Sequence, residues 1–128
     1  YIAAMNQLEK LQKTYDAEIK DMVTEYQKTT KRYEGEAPTK TDEENAKRAA
    51  ELQQTQRSIG EYRRDAEMQL QQKNMELLKP ILEKARTTIQ KVARAKDFDY
   101  VLDSTTGTGV IMADGYDLMP DVKKELGI

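Results

Sequence analysis

Cysteine is absent from the 128-residue chain, so it holds no disulfide framework and no thiolate metal site. Histidine is absent too, which removes the commonest general base and the commonest metal ligand. Tryptophan is missing, phenylalanine occurs once and aromatics total 6%. That leaves too little bulky apolar material for a large core within one chain. No run of about 18 apolar residues exists, so no segment reads as a membrane-spanning helix. An excess of positive charge is lacking as well. The net charge is −2, which argues against nucleic acid as a partner, since phosphate neutralisation needs a basic face. The chain opens on Tyr1-Ile2 without a start Met and already in a helical pattern. The expectation is that an upstream segment has been removed.

Charge and helical periodicity are what remain. Charged residues make up 34%, yet the apolar residues recur too regularly for disorder. Residues 41 to 96 read as one helix whose apolar positions repeat every eleven residues. Ile59, Leu70, Ile81 and Val92 form one series, Leu78 and Ile89 a second, and Ala66 and Leu77 a third. Eleven residues is close to three turns, so these side chains stack along one side of a nearly straight helix. Such a helix is roughly 80 Å long and has to project from any domain of this size.

Residues 1 to 33 read as the first helix, with Tyr1, Met5, Leu8, Leu11, Tyr15, Ile19, Met22, Tyr26 and Tyr33 on a narrow stripe suited to one partner helix. The segment 34–40 contains Gly35 and Pro38 and breaks the pattern. Gly35 is expected to end the helix in a left-handed conformation. Thr41-Asp42-Glu43-Glu44 is a capping box that starts the second helix. The acidic run is assigned to capping and the helix dipole rather than to a cation. So short a break implies an antiparallel hairpin. With its midpoint near Ala37, Tyr15 falls beside Ile59, Met22 beside Leu52 and Leu8 beside Ala66. Pro80 lies within the second helix, which either ends near Lys79 or continues with a kink; the uninterrupted phase favours the kink.

Beyond Lys96-Asp97 the pattern changes. Phe98–Ser104 alternates as a strand does, Thr105–Gly109 reads as a turn, and Val110–Ala113 as a second strand. Both faces of this hairpin carry apolar residues, so a neighbouring subunit is expected to cover one. Pro120–Leu126 fits a short closing helix.

Few signals point to chemistry. Thr105–Gly109 lacks the Lys and the following helix of a phosphate loop. Asp99, Asp103 and Asp114 have no base or nucleophile beside them. Lys84, Arg86, Lys91, Arg94 and Lys96 form a basic segment, read either as contact with an anionic lipid or acidic client, or as charge complementing the helix C-terminus, which is preferred. No catalytic, cofactor-binding or metal-ligating residue is expected. The tyrosines and methionines are more informative, because both types suit loose contact with many partners. Val23, Tyr26, Tyr33, Met68 and Met75 are the candidate client-contacting residues. Phe98, Val101, Leu102, Ile111 and Met112 are the candidate oligomer interface.

Leu77-Leu78-Lys79-Pro80-Ile81, Ile89-Gln90-Lys91-Val92-Ala93, Phe98–Ser104 and Asp121–Leu126 together resemble the Skp/OmpH family of periplasmic chaperones. The resemblance covers the whole chain in architecture and specific residues from about Asn74 onward. It implies a homotrimer in the periplasm, with helical arms projecting from a β-structured body around a cavity. Unfolded outer-membrane β-barrel proteins would be held there without ATP. The family's first strand, which precedes the first helix, is missing here. The best-known members are basic, so the acidic balance of this chain disfavours membrane or lipopolysaccharide contact. The expected fold is therefore mainly α with a small β part. Residues 1–74 form a helical hairpin arm with its tip at 34–41, and 75–128 form an oligomerisation body. The expected function is an ATP-independent holdase; the alternative is a structural coiled-coil adaptor with one specific folded partner.

Overall fold

The computed structural model describes all residues, 1–128. Helix α1 spans Ile2–Glu36, a single 3-10 turn Ala37–Thr39, helix α2 Asp42–Ala95 and helix α3 Met119–Leu126. The chain divides into two compact units, Tyr1–Leu77 and Leu78–Ile128.

In the first unit α1 and the leading part of α2 form the antiparallel hairpin. Its turn is built as the sequence dictates. The Thr41 hydroxyl accepts from the Glu44 amide at 3.1 Å, and the Glu44 carboxylate accepts from the Thr41 amide at 2.9 Å. Two of the unpaired amides at the start of α2 are thereby satisfied reciprocally. That bond to the Thr41 amide also holds the Glu44 carboxyl below the usual carboxylate range. Asn45 adds a side-chain bond to the Ala37 carbonyl at 3.1 Å, tying the turn to α2.

Gly35 departs from expectation. It lies inside α1, which ends at Glu36 with Ala37 still right-handed and leads into the 3-10 turn around Pro38. The expected left-handed stop is not needed, because Pro38 stands in the first positions of the 3-10 turn, where its missing N–H costs nothing. This longer α1 moves the centre of the turn from Ala37 to Thr39, and the pairing moves with it by one helical turn. Tyr15 meets Tyr62, ring centroids 6.2 Å apart in an edge-on arrangement, one turn beyond the expected Ile59. A shallow groove on the hairpin is lined by both Leu8 and Leu70, in keeping with that shift.

Burial in this unit is confined to one stripe, as a two-helix arrangement allows. No residue of α1 is fully buried. Leu8, Leu11, Tyr15, Ile19, Met22, Tyr26 and Tyr33 are half-buried, while Tyr1 and Met5 are exposed and Ala4 takes the seam position instead. On α2, Ile59 and Ala66 are the buried residues of the arm. The eleven-residue series keeps its phase along the helix, with Leu70 and Ile81 half-buried and Val92 buried. Arg48, Thr55 and Thr88 occupy the same inward positions. Their polarity hid them from a hydrophobic pattern. Helix α2 runs through Pro80 without interruption.

The second unit begins with the last turns of α2. The helix stops at Lys96-Asp97, as its sequence pattern does. Asp97 is left-handed, φ 58°, and the Asp97 and Phe98 amides donate back to the carbonyls of Arg94 and Ala93 at 3.1 and 3.0 Å. Asp is one of the few side chains that adopt this conformation at tolerable cost. Helix α3 closes the same way on Gly127, φ 75°, with the Ile128 amide bonded to the Lys123 carbonyl at 3.0 Å.

Residues 97–118 contain no strand, so the small β part is not formed in this single chain. The turn between the expected strands does exist. The Asp103 carboxylate accepts from the Thr105 amide at 2.9 Å, and the Thr108 amide donates to the Thr105 carbonyl at 3.2 Å. The flanks Phe98–Ser104 and Val110–Ala113 do not pair. An isolated two-stranded ribbon has little stability of its own in water, and these flanks have no third strand or covering face within the chain.

Candidate functional surfaces

The five candidate client residues fall into two groups. Val23, Tyr26 and Tyr33 are half-buried on α1. Tyr33 is held firmly at the tip. Its hydroxyl donates to both oxygens of the Glu51 carboxylate at 3.1 Å. The Arg48 guanidinium lies 4.4 Å from the ring centroid, and Arg32 covers it at 5.3 Å. Arg48 Nη2 in turn donates to Glu36 at 2.8 Å. Met68 and Met75 are different. They stand on α2 at 60% and 61% exposure, seven residues and nearly two turns apart.

The five candidate interface residues all lie in the second unit and are all exposed; Phe98, at 38%, is the least so. Tyr100 and Leu82 of the same unit are exposed as well. Phe98 packs against the Tyr116 ring at a centroid distance of 5.4 Å.

Tyr116 organises a cluster that sequence reading missed. Its hydroxyl donates to the Asp121 carboxylate at 2.7 Å, and the Lys96 ammonium sits 5.1 Å from its ring centroid. Lys96 also pairs with Asp121 at 3.4 Å, and Lys91 pairs with Glu125. Together these contacts moor α3 to the end of α2, and Val122 on α3 is buried. Two members of the basic segment are thus matched to acidic partners on α3. The first of the two sequence readings, an anionic lipid or acidic client, has to reckon with that. The spacing of Tyr116 and Asp121 gave no signal, because their meeting with Lys96 depends on how 97–118 folds back.

The charges in these clusters are fixed rather than poised. The Tyr116 hydroxyl, and then Lys96 and Lys124, hold the Asp121 carboxyl below its ordinary range. Tyr116, and then Asp121, raise the Lys96 ammonium. The hydrogen bond from Lys91 lowers Glu125. Each shift favours the charged form and moves the group away from neutral pH, the opposite of what a general acid or base requires. What the surfaces offer is apolar area and steady ion pairs. No helix is long and apolar enough to cross a membrane.

No individual curated protein matches the chain. A family model does, over nearly the full length and across both units. Residues 1–126 match the family described as outer membrane protein (OmpH-like), and the chain belongs to that family.

Proposed function

We propose that this protein is an ATP-independent holdase of the periplasm that keeps unfolded outer-membrane β-barrel proteins from aggregating. The observation that carries this reading is membership of the OmpH-like family over residues 1–126. The helical hairpin and the exposed apolar side chains fit it. Holding requires only that exposed apolar segments of a client be shielded, and many weak contacts acting together supply the affinity.

In this proposal three copies assemble through the second unit. Phe98, Val101, Leu102, Ile111 and Met112 are the interface, and neighbouring chains complete the β structure that one chain does not form. Residues 1–74 act as arms, and Val23, Tyr26, Tyr33, Met68 and Met75 contribute to client contact. The whole-chain net charge of −2 gives no field that would draw the protein to an anionic membrane.

The test is dilution of a urea-unfolded β-barrel protein into buffer with and without the chaperone, in the absence of ATP, with aggregation followed by light scattering. Suppression for several unrelated β-barrel clients, by a species of trimer mass in sedimentation, is the expected result. Absence of suppression, with stoichiometric capture of one folded partner, would replace the holdase by an adaptor.

A further inference from the structure

We propose that Met68 and Met75 form a reversible oxidation site through which a two-electron oxidant weakens client holding. The inference rests on the holdase reading and adds regulation of the same surface. With no cysteine in the chain, thioethers are the only sulfur available to an oxidant. Six methionines are present, and their settings differ. Met22 is half-buried in the hairpin seam. Met68 and Met75 are 60% and 61% exposed on one helix. Seven residues apart, they lie about 10 Å from one another along nearly the same line of α2. Their surroundings are polar: Gln69, Gln71, Gln72, Lys73 and Asn74 lie between them, and Leu70, the one other apolar residue there, is half-buried. They are therefore the principal apolar features of that stretch of exposed helix, and altering both changes its character.

The chemistry is self-contained. Hypochlorous acid transfers one oxygen to the thioether and leaves as chloride with a proton: R–S–CH3 + HOCl gives R–S(O)–CH3 + H⁺ + Cl⁻. The sulfur loses two electrons and chlorine gains them. The sulfoxide is polar and accepts hydrogen bonds, so a side chain that favoured apolar client segments now favours water. Thiol-dependent reduction of the sulfoxide restores the thioether. Because the two side chains point outward, oxidation leaves the buried seam, Ile59 and Ala66, untouched.

Met5, Met112 and Met119 are exposed too, so the test has to apportion the effect. The protein is treated with graded hypochlorous acid, digested, and each methionine scored by peptide mass. In parallel the treated protein is assayed for suppression of β-barrel aggregation. Met68 and Met75 should oxidise several-fold ahead of Met22, and the chaperone dose for half-suppression should rise several-fold. For Met68→Leu with Met75→Leu, apolar but inert to the oxidant, the dose for half-suppression is referred to that variant's own untreated value, and treatment should raise it far less than it raises the parent's. The proposal is overturned if Met68 and Met75 oxidise no faster than Met22, or if the double variant loses protection as steeply as the parent. If the untreated parent protects no client, the holdase reading fails instead. The order of oxidation still reports whether the site exists.

Discussion

Arg48 makes two contacts at the arm tip from its inward place on the α2 stripe: the Tyr33 ring face at 4.4 Å and the Glu36 carboxylate at 2.8 Å. A guanidinium suits this position because it stacks flat on the ring while its edge donates to the carboxylate. Arg48→Ala is expected to cost about 1 kcal/mol, the sum of a partly exposed cation–π contact and a screened ion pair, read as a lower urea midpoint with unchanged slope. Arg48→Lys should recover little of it, since an ammonium cannot do both at once. A full return to parental stability with Lys would mean that charge alone matters there. Thr41→Ala, which removes the α2 cap, should cost about 1 kcal/mol in the same assay. The cap was legible in the sequence because its two partners are three residues apart. Arg48 was not, because its ring and its carboxylate come from the other helix. The Tyr116 cluster escaped for the same reason.

At the scale of whole elements, the register of the hairpin shows how far periodicity reaches. The α2 seam offers Ile59, Tyr62, Ala66 and Leu70 in succession, and sliding α1 by one turn lays its stripe on the next of these. Apolar matching therefore accepts both registers, and the geometry of the turn decides between them. Since α1 runs on to Glu36, Tyr15 meets Tyr62. Tyr15→Cys with Tyr62→Cys should accordingly close an intrachain disulfide faster under mild oxidation than Tyr15→Cys with Ile59→Cys; the reverse order would restore the shorter α1. Strands are legible in alternation, but whether they form depends on what they pair with, and 98–104 and 110–113 lack that within one chain. Helix α3 is the second element with a clear dependence. Asp121 and Glu125 have lowered pKa values, so their contribution to docking is complete above the ordinary carboxylate range and is lost as pH falls through the lowered values. Lys96 is raised, so its contribution is complete below the ordinary lysine range and is lost as pH rises through the raised value. Backbone NMR signals of 119–126 should therefore hold a helical position across neutral pH and move toward coil only once pH falls below the ordinary carboxylate range or rises above the ordinary lysine range. Asp121→Asn should weaken the acid transition; an unaltered one would place the mooring elsewhere.

For the whole molecule, the proposed division of labour between arm and body can be tested by changing one and sparing the other. The seams of both helices share a repeat of eleven. On α1, Leu8 maps onto Ile19, Leu11 onto Met22, Tyr15 onto Tyr26 and Ile19 onto Thr30; on α2, Arg48 maps onto Ile59 and Ile59 onto Leu70. Removing eleven residues from each helix, 19–29 together with the facing 49–59, therefore rejoins each stripe in phase. The arm shortens by about 16 Å, while the capped turn at Thr41 and everything beyond Leu77 remain. Met68 and Met75 are retained as well, so the oxidation site is not disturbed. If the second unit assembles the protein, sedimentation should report the same number of chains as in the parent. Val101→Asp, made separately, should lower that number while most of the helical circular dichroism persists, because a charge on the interface face would be desolvated without a partner. If the arms enclose the client, the shortened protein should need several times more chaperone to suppress aggregation of a large β-barrel client. The penalty for a small client should be less, because fewer weak contacts are lost relative to those it needs. Equal protection of large and small clients by the shortened protein would move client binding from the arms to the second unit, where the exposed residues between Phe98 and Tyr116 would be the next place to look.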